Sequence, residues 1–358
     1  MRICVIGDAT STHIQRWVSW FASHGHEVHL ISDKAVERED VTLHQIASEN
    51  GTGTNFVKKI VQTRNIVRTI EPDILNAHYL FGYGVFGAFT GFHPFVASTW
   101  GSDILKDMVD SPLKKRLIKY AIKRADVVHV ETGMSRKIIK GVVKKRKDIL
   151  LVPFGVDSRL FSPGKTEGRI RERYGINDEP VVISTRNLRP IYDVETLIRA
   201  VPMVVRENPG AKFIVAGSGE FERDLRKLST RLQVDGSVHF VGNVDHDLLP
   251  QYLAESDVYV STSLSDTISV SLLEAMSCGV VPVVTDIEGN REIIDHGVNG
   301  LLFERKNAKA LSEGILKYLD DPESRRRTIE LNRKTIEEKF EWEKCMARVE
   351  NKFNGLVG

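Results

Sequence analysis

Short apolar runs alternate with segments of helical periodicity from the first residues onward. Arg2–Ile6 is an apolar run, and the turn after it is rich in residues that begin helices. Apolar side chains then recur at helical spacing between residues 14 and 21, and a second apolar run follows at Glu27–Ser32. A strand, a helix and a strand in this order form a βαβ unit, so the pattern predicts a parallel sheet.

The alternation continues in two series of similar length. Apolar runs of the first series lie at residues 74–77, 95–99, 127–130 and 149–152. A second series begins near residue 180, with runs at 181–185, 213–216, 238–241, 258–262 and 280–284 and helical patterns at 193–207, 221–233 and 248–255. The two series predict an α/β fold with two doubly wound domains.

The two series are joined by residues 153–164, a segment with two prolines, two glycines and no strong periodicity. We therefore expect domains at residues 1–155 and 156–335, followed by a C-terminal helix at 336–358 that can pack back towards the first domain. Two such domains leave a cleft between them, and open α/β sheets bind ligands at the carboxyl ends of their strands.

The composition is that of a soluble globular protein. Of the 358 residues, 41% are hydrophobic and 27% are charged, which excludes collagen-like, disordered and coiled-coil classes. The three cysteines, Cys4, Cys278 and Cys345, lie far apart and form no metal-binding spacing. Because such sparse cysteine usage is typical of a reducing compartment, we expect a cytoplasmic protein.

One uncharged stretch has to be compared with a membrane span. No charged residue lies between Asp73 and Asp103. A spanning helix needs about 20 continuous apolar residues, whereas four glycines, His93 and Pro94 interrupt residues 79–97. We therefore predict a buried strand, a helix and a second buried strand here.

Charge is unevenly distributed, although the formal net charge is only +2. Residues 1–150 contain 22 basic and 15 acidic residues, a net of +7, which leaves −5 for the rest of the chain. Residues 106–147, the basic region, hold 14 of these basic residues and only 4 acidic ones. This region is either a solvated helix face or a surface for anionic lipid headgroups, which would make the protein peripheral on the cytoplasmic face of a membrane. Nucleic acid is a weaker third interpretation and is not expected as a partner, because the region lacks interleaved aromatic residues.

The most informative segment, residues 261–279, follows a predicted strand and leads into a helix. Its loop presents backbone N–H groups and the positive end of the helix dipole, which suits a phosphate. Ser269 and Ser271 add hydroxyl donors, and the carboxylates of Asp266 and Glu274 are good acceptors for vicinal sugar hydroxyls. An alternative stays open for Glu274, because Ser271-Leu-Leu-Glu274 is also a capping box that would only stabilise the helix start.

Glycines and an arginine follow neighbouring strands of the second series. Gly217 begins a lone GxG turn, which either cradles a phosphate or only turns the chain. The segment Gly242-Asn243-Val244 ends a strand where backbone groups could approach a planar base. Arg186, followed by Asn187, is either a bidentate ligand for a diphosphate or an exposed loop cation.

Polar and aromatic residues also follow the strands of the first series, on the side where open α/β sheets bind ligands. A lone histidine at such a position more often has a structural role than a catalytic one. No Ser-His-Asp triad and no HExxH zinc motif is evident, so no metal site is expected. The candidates are His13, Arg16, His78, Trp100, Ser102 and Asp103.

Further motifs complete the pattern, namely Phe154-Gly-Val-Asp157, Gly217-Ser-Gly-Glu220, Val238-His-Phe-Val-Gly-Asn243, residues 266–279 and 282–292, and Asn299-Gly-Leu-Leu-Phe303. Together these segments resemble a family 4 retaining glycosyltransferase (glycosyltransferase group 1). The resemblance covers most of the chain and implies the GT-B architecture, in which two Rossmann-like domains face a central cleft.

The resemblance implies transfer of a sugar, with retention, from a UDP- or GDP-sugar to the hydroxyl of a glycan or lipid-linked acceptor, without a metal or other cofactor. Glu274 matches the family's ribose-binding residue. The resemblance implies a donor-binding set in the second domain of Arg186, Asn187, Gly217, Gly242, Asn243, Val244, Ile268, Ser269, Val270, Ser271 and Glu274. It also implies that the first domain meets the acceptor. Of the candidates named above, we expect His13, Arg16, Trp100 and Ser102 to bind the acceptor, and we expect catalytic roles for Asp266, Arg186, His78 and Asp103.

Three departures from the family pattern define a competing hypothesis. Asp266 stands where a glutamate is usual, and Trp100 stands where a histidine is frequent. Asn187 and Tyr192 occupy the positions of an arginine and a lysine, so Arg186 would have to substitute for the family's cations. The competing hypothesis is a non-catalytic nucleotide-sugar-binding or scaffolding relative. An NAD-linked dehydrogenase is a weaker third, because no GxGxxG follows the first strand.

Overall fold

Two α/β units make up the chain in a computed structural model, which describes residues 1–47, 54–143, 147–164, 166 and 168–358. The first unit comprises Met1–Phe154 together with Met346–Gly358, and the second comprises Gly155–Cys345. Each unit is built on a parallel sheet, so the predicted α/β class with two doubly wound domains is confirmed.

In its described residues the first unit has a seven-stranded parallel sheet with the order β3-β2-β1-β4-β5-β6-β7. The strands are β1 (Arg2–Ile6), β2 (Glu27–Ser32), β3 (Thr42–Gln45), β4 (Ile74–His78), β5 (Phe95–Ser98), β6 (Val127–Val130) and β7 (Asp148–Leu151). The helices are α1 (Thr12–Ser23), α2 (Thr54–Ile70), α3 (Val85–Thr90), α4 (Met108–Asp110), α5 (Pro112–Arg124) and α6 (Gly133–Val142), with irregular helical turns at Leu80–Gly84 and Asp103–Asp107.

The second unit, over its described residues, has a six-stranded parallel sheet with the order β10-β9-β8-β11-β12-β13. The strands are β8 (Val181–Ser184), β9 (Lys212–Ala216), β10 (Val238–Gly242), β11 (Val258–Ser261), β12 (Val281–Thr285) and β13 (Leu301–Phe303). The helices are α7 (Arg169–Arg173), α8 (Val194–Glu207), α9 (Glu222–Arg231), α10 (Leu249–Ala254), α11 (Val270–Ser277), α12 (Glu288–Arg291), α13 (Ala308–Asp320) and α14 (Pro322–Thr335), with short turns at Pro190–Tyr192 and Ile336–Phe340.

The uncharged stretch near residue 80 is a strand, a helix and a strand, as predicted. All five residues of β4 and all four of β5 are buried, because the strands of a parallel sheet are covered on both faces. The short helix α3 connects the two strands along the chain, and most of its residues are buried. In the described parts of the chain, no helix combines the length and the apolar character needed to cross a membrane.

The last helix, α15 (Trp342–Val357), begins in the second unit and ends in the first. Phe353 stacks on Phe21 of α1, with ring centroids 5.4 Å apart. The Glu350 carboxylate lies 2.6 Å from Nε2 of His26. These contacts attach the C-terminal residues to the first unit.

Candidate active site

Loops that follow β8 and β11 meet at one edge of the second unit's sheet. Strand β8 lies between β9 and β11, so the strand order reverses there, with β10 at one end of the sheet and β13 at the other. Open α/β sheets bind ligands at the carboxyl ends of their strands at such a reversal. Arg186 follows β8, and residues 262–269 connect β11 to α11.

Arg186 is held by three side chains near the start of α11. Its Nη1 donates to Ser269 Oγ at 2.8 Å and to Ser271 Oγ at 3.0 Å. Its Nη2 donates to Asp266 Oδ2 at 2.7 Å. The structure therefore gathers three of the predicted residues around a fourth, the Arg186 cation, whose side chain is only 10% exposed. The alternative of an exposed loop cation is wrong.

Tyr192 covers the guanidinium of Arg186, with the ring centroid 4.2 Å from Cζ. Burial opposes the charge of Arg186, but the charge of Asp266 and the neighbouring Tyr259 and Tyr192 outweigh it, so the pKa of Arg186 is raised above its usual range. Its Nε is buried and has no hydrogen-bond partner among the described residues. The group is thus a permanently charged cation with an unused donor.

Three glycines bring the loops after β8, β9 and β10 close together. A Cβ on Gly217 would lie 2.5 Å from the carbonyl oxygen of Arg186, and one on Gly219 would overlap the backbone of Leu188. The Gly217 N–H donates to the carbonyl of Gly242 at 2.7 Å, and Gly242 has a φ of +72°. The GxG turn therefore positions the backbone of the arginine loop.

Ser269, not Ser271, is the N-cap of α11. Its Oγ accepts a hydrogen bond from the backbone N–H of Leu272 at 3.3 Å. Glu274 is the fifth residue of the helix and its carboxylate contacts a histidine. The capping-box alternative for Ser271 and Glu274 is therefore wrong, because a serine two residues earlier takes the capping position.

His246 is a candidate that the sequence did not reveal. Its Nε2 lies 3.3 Å from Oε1 of Glu274, and its ring packs edge-on against Phe161 with centroids 5.1 Å apart. The Glu274 side chain is 7% exposed and that of His246 is 33% exposed. Ser271 and Glu274 are three residues apart in one helix, so the glutamate lies on the same face as a partner of Arg186. A contact across 28 residues leaves no local pattern by which His246 could be found.

The remaining predicted donor-site residues differ in exposure. Asn187 and Asn243 are exposed, while Val244 and Val270 are half-buried. Ile268 is buried in the apolar core of the unit. Its side chain therefore contributes packing, which leaves its backbone as the part that could meet a ligand.

In the first unit, His78 uses both ring nitrogens within the fold. Trp100 Nε1, which can only donate, lies 3.2 Å from Nδ1 of His78. His78 Nε2 therefore carries the proton and donates to Asn76 Oδ1 at 2.8 Å. Burial, followed by the neighbouring His129 and His13, holds the pKa of His78 well below its usual range. This bonding gives neutral His78 the task of positioning Trp100, where the sequence predicted a catalytic role.

The hydrogen-bond chain continues across the ends of the next two strands. Asn76 Nδ2 donates to Ser98 Oγ at 3.0 Å, and Ser98 Oγ lies 3.2 Å from Nδ1 of His129. His129 Nε2 lies 2.8 Å from the carbonyl oxygen of Val152, so this nitrogen carries the proton and Nδ1 accepts. Burial lowers the pKa of His129 to about 4. Trp100 is therefore fixed by an uninterrupted chain of matched donors and acceptors.

Asp103 is also committed to the fold. Its carboxylate accepts from the backbone N–H of Leu80 at 2.9 Å and from that of Trp100 at 3.1 Å. Burial raises the pKa of Asp103 to about 6, although these backbone hydrogen bonds act in the opposite direction. The residue joins two loops, where the sequence predicted a catalytic role.

A cavity of about 610 Å³ lies in the first unit. Asp8 follows β1, Asp33 follows β2 and Phe81 follows β4, and all three side chains line it. Strand β1 lies between β2 and β4, where the strand order of this sheet reverses, so the cavity occupies the ligand position of an open α/β sheet. Of the four predicted acceptor residues, Trp100 lines the cavity.

The other predicted acceptor residues lie apart from the cavity lining. His13 stacks on Phe154 with centroids 5.4 Å apart and meets Trp100 edge-on at 5.5 Å. Arg16 is half-buried on α1, and Ser102 is exposed. Among the residues that the structure describes, no group of three or more His, Cys, Asp or Glu side chains could hold a metal ion.

Two family models match the chain. Glycosyl transferases group 1 matches residues 166–335, and Glycosyl transferase 4-like matches residues 2–132. The chain is 25% identical to N-acetyl-alpha-D-glucosaminyl L-malate synthase of Bacillus anthracis, over 92% of this chain and 89% of that protein. It is 27% identical to the GDP-mannose-dependent monoacylated alpha-(1-6)-phosphatidylinositol monomannoside mannosyltransferase of Corynebacterium glutamicum, over 72% of this chain and 68% of that protein.

Solved structures share the fold over nearly the whole chain. Sucrose-phosphate synthase from Thermosynechococcus elongatus has a TM-score of 0.86 at 18% identity, with 99% of each chain covered. Anabaena HepE in complex with UDP has a TM-score of 0.85 at 20% identity, with 99% of this chain and 100% of that chain covered. The fold and the family matches define a glycosyltransferase of the GT-B class. The chain belongs to the family 4 glycosyltransferases (group 1), as the sequence motifs predicted.

Proposed function

We propose that this glycosyltransferase moves a sugar from a UDP- or GDP-sugar to an acceptor hydroxyl, with retention of the anomeric configuration. The observation that carries the proposal is the grouping of Arg186, Asp266, Ser269 and Ser271 at the reversal point of the second sheet. A buried cation beside a helix N-terminus suits a diphosphate. In this proposal Glu274, three residues beyond Ser271, accepts hydrogen bonds from the hydroxyls of a ribose.

The names of similar proteins support a nucleotide-sugar donor but do not distinguish uracil from guanine as its base. The Corynebacterium relative is named as GDP-mannose-dependent, and HepE has been solved with UDP and with UDP-glucose. A thermal-shift panel of UDP, GDP and their sugars tests the donor class, because a ligand that binds only the native state raises the melting temperature. We expect one nucleotide series to stabilise the protein. Absence of any shift across both series would contradict the proposal.

Retention is proposed to proceed by attack on the same face as the leaving group. Oδ2 of Asp266 is bound by Arg186, and Oδ1 accepts from the backbone N–H of Thr267 at 2.9 Å, so this carboxylate is not poised as a nucleophile. The bond from C1 to the diphosphate oxygen breaks as the acceptor oxygen bonds to C1, and the departing diphosphate takes the acceptor proton. Arg186 and the helix N–H groups stabilise the developing charge.

Two measurements test this chemistry. The coupling constant of the product's anomeric proton, measured by NMR against that of the donor, reports retention directly, and an inverted product would contradict the proposal. The mechanism assigns charge compensation to Arg186 and requires no metal, so turnover should survive treatment with EDTA and should not rise with added Mg²⁺ or Mn²⁺. A loss of turnover that Mg²⁺ restores would contradict this part.

We further propose that the basic region docks the first unit on an anionic bilayer. Helix α5 buries Ile118 and Ile122 but leaves Leu113 67% exposed beside the exposed Lys115 and Arg116. Val109, just before this helix, is 77% exposed. Apolar side chains among basic ones match an interface of acyl chains and anionic headgroups. Three residues of the basic region, Lys144, Lys145 and Arg146, lie outside the described residues.

Sedimentation with vesicles tests this docking. The protein should sediment with vesicles that contain anionic lipid and remain in the supernatant with purely zwitterionic ones. Equal behaviour with both would remove the docking proposal and leave the glycosyltransferase chemistry untouched.

A further inference from the structure

Two charged side chains that line the cavity of the first unit are paired with each other. Lys59 Nζ donates to Asp33 Oδ2 at 2.6 Å, and Tyr83 Oη donates to Asp33 Oδ1 at 2.5 Å. Burial alone would raise the pKa of Asp33, but the hydrogen bonds from Lys59 and Tyr83 outweigh it and hold that pKa below its usual value. The carboxylate therefore stays ionised and satisfied at neutral pH.

Aromatic rings line the same cavity. Phe56 meets Phe86 edge-on with centroids 5.2 Å apart and lies 6.4 Å from Phe81. The ammonium of Lys114 lies 4.8 Å from the centroid of the Phe81 ring and 2.7 Å from a carboxylate oxygen of Asp107. These contacts hold the Phe81 ring in place, so the cavity offers fixed aromatic surface beside polar groups.

The lining carries no excess of either charge. Among the described residues that line the cavity, Asp8 and Asp33 are balanced by Lys34 and Lys59. Lys59 is buried and bound to Asp33, so its charge is already compensated. An acceptor with a carboxylate would bring an unbalanced charge into this site, which is costly. An alkyl chain would desolvate these polar groups without offering hydrogen bonds in return.

We infer that this cavity binds an uncharged pyranose ring, whose hydroxyl is the acceptor. The inference rests on the proposed function and names its acceptor class. A pyranose has apolar C–H faces that pack on aromatic rings and a rim of hydroxyls that can hydrogen-bond to Asp8 and to the Tyr83–Asp33 pair. The aromatic lining, the cluster of Asp33 with Lys59 and Tyr83, and the balanced charge all match that chemistry.

Saturation-transfer NMR on the full-length protein tests the inference without any donor present. The probes are a panel of methyl hexopyranosides, L-malate as an anionic hydroxyl compound, and 1-octanol as an alkyl alcohol. We expect saturation of the ring protons of at least one pyranoside. Phe81→Ala, which removes one aromatic ring of the lining, and Tyr83→Phe, which removes only the hydroxyl, should each weaken its binding about 5- to 10-fold. Val57→Ala is the matched control, because Val57 is 61% exposed on α2 beside Phe56.

Several outcomes separate this inference from the donor proposal. Unchanged affinity for UDP or GDP in all three variants is expected, since those changes lie in the first unit. Binding of L-malate or octanol that falls in the Phe81 and Tyr83 variants, with no pyranoside bound, would overturn the inference. Pyranoside affinity that is unchanged in both Phe81→Ala and Tyr83→Phe would also overturn the inference. A failure of nucleotide binding would contradict only the donor proposal, because the pyranoside signal is read without nucleotide.

Discussion

The Glu274 side chain contacts His246, while Ser269 caps the helix that carries Glu274. A substitution of Glu274 should therefore affect nucleotide binding without disturbing the helix cap. Glu274→Gln keeps a hydrogen-bonding side chain but loses the charge that strengthens a bond to a ribose hydroxyl. Hydrogen bonds to charged groups exceed neutral ones by roughly 1 kcal/mol, so affinity for UDP or GDP should fall about 5- to 10-fold. Titration calorimetry measures this loss. The melting temperature of the unliganded protein should not change, since the cap is intact.

Inorganic diphosphate is the control ligand for Glu274→Gln, because it has no ribose. It should bind the wild type and the variant alike. Full nucleotide affinity in the variant would show that Glu274 has no role in donor binding.

Under the proposed mechanism Arg186 replaces two cations of the family pattern, so a change to lysine should not be conservative. A lysine cannot stack on Tyr192 as a planar group, nor can it span Asp266 and the two serines at once. If Arg186 stabilises the leaving group, kcat should fall by about 10²-fold, the effect of losing one donor to a developing charge. Arg189→Lys, an exposed neighbour, is the matched control and should retain kcat. Equal kcat in both variants would remove Arg186 from the mechanism.

The raised pKa of Asp103 leads us to expect that the free energy of unfolding of the first unit depends on pH. Its pKa in the folded state is about 6, above the usual value of about 3.9 in an unfolded chain. Its contribution to the free energy of unfolding is therefore fully present below pH 4 and is lost as the pH rises through 6. Relative to Asp103→Asn, the wild type should lose up to about 3 kcal/mol between pH 4 and pH 7.

Urea unfolding followed by tryptophan fluorescence measures this difference, because Trp17, Trp20 and Trp100 all lie in the first unit. The pH-dependent part of the comparison isolates the ionisation, since any packing cost of the asparagine does not depend on pH. A constant difference between the two proteins across this range would show that Asp103 has an ordinary pKa.

At the scale of elements, the loop that carries Asp266 is held by close backbone packing. A Cβ on Gly289, in the short helix α12, would lie 2.5 Å from the carbonyl oxygen of Asp266 and would overlap the backbone of Thr267. Gly289→Ala should therefore displace the loop, break the ion pair with Arg186 and weaken nucleotide binding by at least about 10-fold, as expected from losing a charged hydrogen bond. Calorimetric titration with the nucleotide checks this.

Gly236→Ala serves as the control for Gly289→Ala. A Cβ at Gly236 meets nothing within 4 Å, so this variant should bind nucleotide as the wild type does. Equal affinity in the two alanine variants would show that the packing of this loop does not govern the site.

Local pattern was sufficient for most elements but not for the shortest strands. Eleven apolar runs matched strands, because a buried parallel strand is marked by its own apolar sequence. Strand β3 was not predicted because its ends are exposed and Leu43 is its only apolar residue. Strand β13 was not predicted because it has only three residues. The apolar pattern marks a strand through its buried residues, and these two segments have too few of them.

The sequence predicted which residues the candidate site contains, but not which of them contact one another. Motifs located Arg186, Asp266 and Glu274, yet which serine caps α11 depends on local geometry that two serines could satisfy. The commitment of His78 to Asn76 and Trp100, and the contact of His246 with Glu274, are tertiary contacts between separate segments. Such pairings leave no periodicity in the sequence, so they could not be predicted from it.

For the whole molecule, the near-neutral net charge conceals the uneven charge distribution on which the proposed membrane docking depends. Each basic residue close to an anionic bilayer contributes about 1 kcal/mol. Replacing Lys115 and Arg116 with glutamine should therefore lower partitioning into anionic vesicles by roughly 30-fold at low salt. The matched control replaces Arg223 and Lys227, which are 83% and 68% exposed on α9 of the second unit, and should not change partitioning.

The apolar and electrostatic parts of this docking separate in high salt. Screening at about 1 M salt shortens the Debye length to roughly 3 Å and suppresses the attraction of the lysines and arginines. Binding that persists there should depend on Val109 and Leu113, so serine at both positions should lower partitioning by a similar factor at low and at high salt. Sedimentation of the two double variants at low and high salt gives four values. If the Lys115 and Arg116 variant loses binding by as large a factor at high salt as at low salt, the surface does not act as proposed, because screening should suppress an electrostatic contribution.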